Sequence, residues 1–82
     1  MRKLKEGSIV EVTWVDSASY SPWLKKEEAL KWAEEECFCY TVGYVLLQNS
    51  HSLTLIQSRG TSNVGALWSI PNVCVKKVRV LR

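Results

Sequence analysis

The chain is poor in the side chains on which most enzymes depend. It has one histidine, His51. That residue lies in Gln48-Asn-Ser-His-Ser52, a polar stretch that reads as a hairpin turn. A hydrolytic site needs a positioned base and a group to orient it, and serines adjacent in sequence do not supply that geometry. His51 therefore reads as a solvated turn residue, and no catalytic residue is expected. Cysteine is scarce and odd in number: Cys37, Cys39 and Cys74. Cys37 and Cys39 share one face of a strand, too close for a bridge within it, so all three read as free thiols in a reducing compartment. Cys-Phe-Cys is not zinc-knuckle spacing and His51 is the sole imidazole, so no metal is expected. Cys37 follows the end of a helical pattern, the wrong terminus for stabilising a thiolate nucleophile. The segment from Arg59 to Gly65 carries two glycines but no Lys-Ser/Thr ending and opens no helix, which excludes a P-loop; no cofactor is expected. No apolar run approaches the roughly 20 residues of a membrane span. Met1-Arg-Lys-Leu-Lys-Glu6 lacks the apolar core of a signal peptide, so a cytoplasmic location is expected.

What is present is a single small domain, residues 1–82, of ordinary apolar content. Eleven basic and eight acidic residues leave a net charge of +3, too little to imply disorder. Aromatics are in surplus: four tryptophans (Trp14, Trp23, Trp32, Trp68) and three tyrosines (Tyr20, Tyr40, Tyr44). Each covers about 150–250 Å² when enclosed. One small core does not enclose all seven, so some are expected at a subunit interface or a ligand site.

The pattern along the chain predicts strands over Ile9–Val15, Thr41–Leu47, Leu53–Ser58, Ala66–Ile70 and Val75–Leu81. Between the first two lies a helical period over about 25–36, with Leu30, Ala33 and Cys37 on one face and Glu34-Glu-Glu36 opposing the dipole at its end. Five short strands, with an Ile70-Pro71-Asn72 break before the last, predict a mainly β chain with one inserted helix: a small five-stranded barrel of the SH3 or Sm kind. Val10, Val12 and Trp14 alternate onto the core face. Gly43 within a strand marks a bend or a close backbone approach.

Two candidate sites emerge. Trp14, Asp16, Tyr20 and Trp23 cluster around the exit of the first strand, and Ser58 and Arg59 end the third. If both strand ends share one rim, an aromatic face stacks on a base, Arg59 holds a phosphate and Asp16 accepts from a base or ribose. Against this, Asp16 in Asp16-Ser-Ala-Ser19 also reads as a turn cap bonding its own backbone. The second candidate is basic. Arg2, Lys3 and Lys5 meet Lys76, Lys77, Arg79 and Arg82 if the first and last strands are neighbours, making a patch for nucleotides, RNA or DNA. Lysines on such strands also guard against edge-to-edge aggregation.

Trp14-x-Asp16, Trp23 before a short helix, Thr41-x-Gly43, Ile56-Gln-Ser58, and Ile70-Pro71 before a final Val-rich strand together resemble small phage-encoded proteins with an SH3/Sm-like barrel. The resemblance covers about Ile9 to Leu81. It implies a non-enzymatic oligomer that acts as an anti-defence sponge for a nucleotide-derived immune signal of the cyclic nucleotide or cyclic ADP-ribose type, in the cytoplasm of an infected bacterial host. The aromatic surplus and the small core separately predict a closed homo-oligomer, dimer to hexamer, with strand edges and Trp68 or Tyr44 as its contacts. Two other functions stay open: an Sm-like oligomer that binds single-stranded RNA or DNA, and a protein-interaction adaptor that presents an aromatic surface. The helix after the first strand, and the lack of a Lys-His pair near the last, depart from the bacterial Sm-like RNA chaperone.

Overall fold

The computed structural model describes residues 1–82. Strand β1 spans Ile9–Asp16, helix α1 Lys26–Glu34, β2 Cys37–Gln48, β3 Ser52–Arg59, β4 Val64–Pro71 and β5 Val75–Val80, with a 3₁₀ turn at Asn72–Cys74 before β5. All strands belong to one antiparallel sheet in the order β4-β3-β2-β1-β5. The chain is thus mainly β, with one helix inserted between the first two strands as the periodicities predict. β4 and β5 are the outer strands and share no ladder, so the hydrogen-bonded sheet is open between them.

Alternation makes the core. Val10 and Val12 are fully buried and Trp14 nearly so, while Glu11 and Thr13 face the other way. Val45, Leu53, Leu55 and Ile70 close over them from the neighbouring strands, with Leu4 of the N-terminal segment as a lid. Trp14 adds a polar anchor: its indole Nε1–H donates to Thr41 Oγ1 at 2.9 Å, and its ring lies 6.2 Å from that of Trp68. Burying the indole N–H without that acceptor would be costly, so the bond also fixes how β1 and β2 face each other.

β2 is long because it serves two partners. Cys37–Tyr44 pairs with β1, and Tyr44–Gln48 pairs with β3 across a bulge between Val45 and Leu47. The changeover lies beside Gly43. A Cβ there would sit 2.9 Å from the Ile56 carbonyl oxygen, so the strands approach this closely only because the residue is glycine. The turn into β3 is held by Asn49, whose Oδ1 accepts from the backbone N–H groups of His51 and Ser52 at 2.8 and 2.9 Å. The β3–β4 ladder runs out to Arg59↔Val64, and the Gly60 N–H donates to the Asn63 carbonyl at 2.7 Å. The loop expected from Arg59 to Gly65 is therefore a four-residue turn, Gly60–Asn63, because the ladder continues past the apolar run.

The other end of the molecule is different. Past Trp14 the β1–β2 hairpin projects as an arm that ends in the connection Ser17–Lys25 and α1. The helix opens with Glu27 and Glu28, favourable at its positive end, and stops at Glu34, as the acidic run requires. No residue of α1 is buried. The apolar helix face expected from the sequence finds nothing to pack on: Leu30 is 57% exposed and Ala33 is also exposed. Ala29 and Trp32 are half-buried, the Trp32 ring lying 6.1 Å from that of Tyr20. The arm stretches the molecule to 54 × 25 × 22 Å, with a radius of gyration of 16.0 Å. A compact chain of this length has about 12 Å.

Candidate functional site

The six residues expected to form one pocket are dispersed. Trp14 is a core residue, hydrogen-bonded and packed on Trp68. Asp16 is exposed at the end of β1 and accepts from the Ser17 N–H at 2.8 Å, which is the turn arrangement. Tyr20 packs beside Trp32 on the arm, and Trp23 is 100% exposed. Ser58 and Arg59 end β3, and the Arg59 guanidinium lies 4.4 Å over the ring of Tyr44. Tyr44 pairs with Ile9 at the start of β1, whereas Asp16 pairs with Cys37 at its far end. Seven steps at about 3.3 Å separate the two ends by about 23 Å. Antiparallel pairing thus places Asp16 and Arg59 at opposite ends of β1, and the expected shared rim does not form within one chain.

The basic residues converge instead. β5 runs antiparallel to β1, and the N-terminal segment returns along β2, so both ends of the sequence meet at one end of the body. Gly7, at φ +85°, makes the turn from that segment into β1, and its N–H donates to the Val45 carbonyl at 2.8 Å. Gln48 holds the segment in place. Its Oε1 accepts from the Leu4 N–H at 2.7 Å and its Nε2 donates to the Arg2 carbonyl at 2.9 Å. The result is an open cleft of about 730 Å³ whose lining includes Arg2, Lys3, Lys76, Lys77, Asn49 and Asn72. The single ion pair in the molecule joins Arg79 to Glu11 at 3.3 Å, so none of these four cations is neutralised by a carboxylate. Asn72 is fixed by its Nδ2–H to the Asn49 carbonyl at 2.8 Å and by its N–H to the His51 carbonyl at 2.9 Å. Its Oδ1 is buried without a donor. A smaller basic hollow, lined by Lys5, Arg59 and Arg82 together with Glu6, lies nearby around Gly7. Aromatic rings are missing from both linings, so these sites offer charge and hydrogen bonds but no stacking face.

A third feature gathers two of the surplus aromatics, Tyr40 and Trp68, which the sequence leaves for an interface or a ligand site. An apolar slot of about 670 Å³ lies between β2 and β4, lined by Tyr40, Thr41, Val42, Gln57, Ala66, Leu67 and Trp68. Ala66, which lines the slot, has φ +56°, in the left-handed region that a non-glycine residue seldom occupies. The signal was present in Phe38, Tyr40 and Val42. Neither face of this strand segment carries a charge, because these residues alternate with Cys39, Thr41 and Gly43.

Burial pushes the Cys39 thiol above its ordinary value, and neighbouring Cys37 and Asp16 raise it further. A raised value disfavours the thiolate, the form in which a thiol attacks or binds metal. His51 is exposed in its turn and has no carboxylate within ion-pair distance. No helix is long and apolar enough to cross a membrane. Comparison with protein-family models, curated proteins and solved structures finds no match.

Proposed function

We propose that the protein is a non-enzymatic binding module for a phosphate-bearing, nucleotide-type ligand, held in the basic cleft where the N-terminal segment meets β5. One observation carries this reading: Arg2, Lys3, Lys76 and Lys77 converge on one cleft with no carboxylate to neutralise them. Unpaired cations beside fixed carboxamides suit phosphate oxygens and polar edges. The volume falls within the usual range of small-molecule sites, about 300–1,000 Å³. With no stacking ring in the lining, affinity comes from the phosphates and not from the base. A module of this kind acts by retention: it lowers the free concentration of its ligand, as a sponge does. The strand order, and the 3₁₀ turn that leads into β5, support reading the body as an SH3/Sm-like barrel.

Phosphates are common to a small nucleotide and to single-stranded nucleic acid, and titration separates the two. A cyclic dinucleotide and a short RNA oligomer are each titrated into the wild-type chain and into the Lys76→Ala/Lys77→Ala double variant. The ligand is expected to lose at least about tenfold in affinity in the double variant. Trp23→Ala, on the arm, is expected to bind as wild type. If RNA is the ligand, affinity falls steeply with salt in proportion to the phosphates contacted. If only the cyclic dinucleotide binds, the small-ligand reading holds. Failure of both to bind, or undiminished binding by the double variant, overturns the proposal.

A further inference from the structure

The geometry points to the free edge of β2 as the seat of a twofold dimer, in which the arm of each copy lies along the body of the other. This inference is independent of the ligand at the basic cleft.

The edge is defined by hydrogen-bond direction. Val45 N–H and C=O bond to Ser8 and Gly7, so the odd-numbered residues of this stretch point toward β1. The even-numbered ones point away. Tyr44 meets Ile56 of β3, and the Val42 carbonyl accepts from the Gln57 side chain. β3 does not pair beyond Tyr44, so Phe38, Tyr40 and Val42 turn their remaining ladder groups to an empty side. Their side chains are exposed too, Tyr40 at 68%. Edge strands are normally blunted by charge or proline. β5, an outer strand, follows that rule with Lys76, Lys77 and Arg79. The stretch Cys37-Phe-Cys-Tyr-Thr-Val-Gly43 has neither.

A second copy is the occupant that fits. The free edge runs from Phe38 to Val42, and an isologous pairing uses all of it only if the twofold axis passes its midpoint, Tyr40. Antiparallel pairing then sets Tyr40 against Tyr40, and Phe38 against Val42 twice, with these backbone groups facing the partner and only the Val42 carbonyl having first to release the Gln57 side chain. Phe38 is delivered to the partner's slot beside Val42 and Leu67. Charge is complementary along the same direction. Residues 16–36 hold six of the eight acidic residues and three of the eleven basic ones, a net charge of −3. The rest of the chain holds two acidic and eight basic residues, a net charge of +6. The antiparallel arrangement lays each negative arm on a positive body. It brings Glu36 to the end of the slot where Arg59 covers Tyr44, and Arg59 has no carboxylate partner in its own chain.

Sedimentation equilibrium of the full chain at micromolar concentration tests this. Wild type is expected at twice the 9.4 kDa chain mass. Tyr40→Lys is expected to be a monomer with an unchanged circular dichroism spectrum, because the side chain is largely exposed within its own chain. A Tyr40→Cys variant with the three native cysteines changed to serine should form an interchain disulfide under mild oxidation, since hydrogen-bonded antiparallel partners lie about 5.5 Å apart at Cα, within disulfide reach. Glu36→Arg and Arg59→Glu should each weaken the dimer about tenfold, because the pair occurs twice and exposed pairs are individually weak. The two together should restore it. A monomeric wild type, a larger assembly, a dimeric Tyr40→Lys or a missing Tyr40→Cys cross-link each overturn the proposal.

Discussion

The body and the arm are built from similar residues and end up in opposite physical states. In β1 and β3, Val10, Val12, Leu53 and Leu55 are fully buried. In the arm, Leu30, Trp23 and Phe38 face water. The apolar content of the two regions does not account for this; what differs is the number of surfaces facing each other. The body folds a bent β2 over β1, β3 and β4, so alternating side chains meet across a core. The arm has one helix and two strand ends, with nothing opposite them. An amphipathic helix draws most of its stability from packing, and α1 has little beyond the contact of Trp32 with Tyr20.

Paired substitutions sharpen this contrast. Leu53→Ala removes a fully buried side chain and is expected to destabilise by about 2–5 kcal/mol, close to the whole stability of a domain this small. Leu30→Ala, by contrast, is expected to change stability by less than about 0.5 kcal/mol. Urea titration of both variants checks the pair, and a large loss for Leu30→Ala under conditions where the chain is monomeric would erase the distinction between arm and body. Gly43→Ala comes next. It sets a methyl group 2.9 Å from the Ile56 carbonyl oxygen, a backbone atom that cannot swing away. The expected cost is about 1–3 kcal/mol by denaturant unfolding, typical of overpacking.

The smallest effect concerns the thiols at the junction of arm and body. Cys37 is exposed, whereas Cys39 is partly covered, with its thiol held above the ordinary value by burial and then by Cys37 and Asp16. A raised thiol pKa means that the folded chain keeps this proton longer than the unfolded one. Its contribution to stability is present below the unfolded thiol value and is lost as pH rises through the folded one. Alkylation followed by mass spectrometry should find Cys39 slower than Cys37 at pH 8 and gaining on it at higher pH. Equal rates at both pH values would place the two thiols in the same environment.

Much of the body was legible in the sequence because its signals are local. Period-two alternation marks β1 and its core face, and the Asn49–Ser52 polar cluster marks a turn that Asn49 closes with its own side chain. Gly43 reads as a close approach from residue type alone. The candidate pocket was not legible, because proximity in sequence is not proximity in space. Trp14 and Asp16 are neighbours in the chain, yet one is core and the other is at the solvated tip of a strand. Arg59 was expected beside Asp16, but register carries it to the opposite end of β1.

Residue order by itself determined the element types, their sequence and the core face of the first strand, since backbone conformation and side-chain alternation follow from neighbours a few residues apart. It also determined that positive charge gathers toward both termini and negative charge in the inserted segment. Only the tertiary structure decided what those patterns face. The β1–β5 pairing and the Gln48 clasp turn two distant runs of basic residues into one cleft. The changeover of β2 from β1 to β3 at Tyr44 leaves a strand edge bare and a helix without a partner. Both outcomes depend on register between residues far apart in the chain, where a shift of one position exchanges buried for exposed.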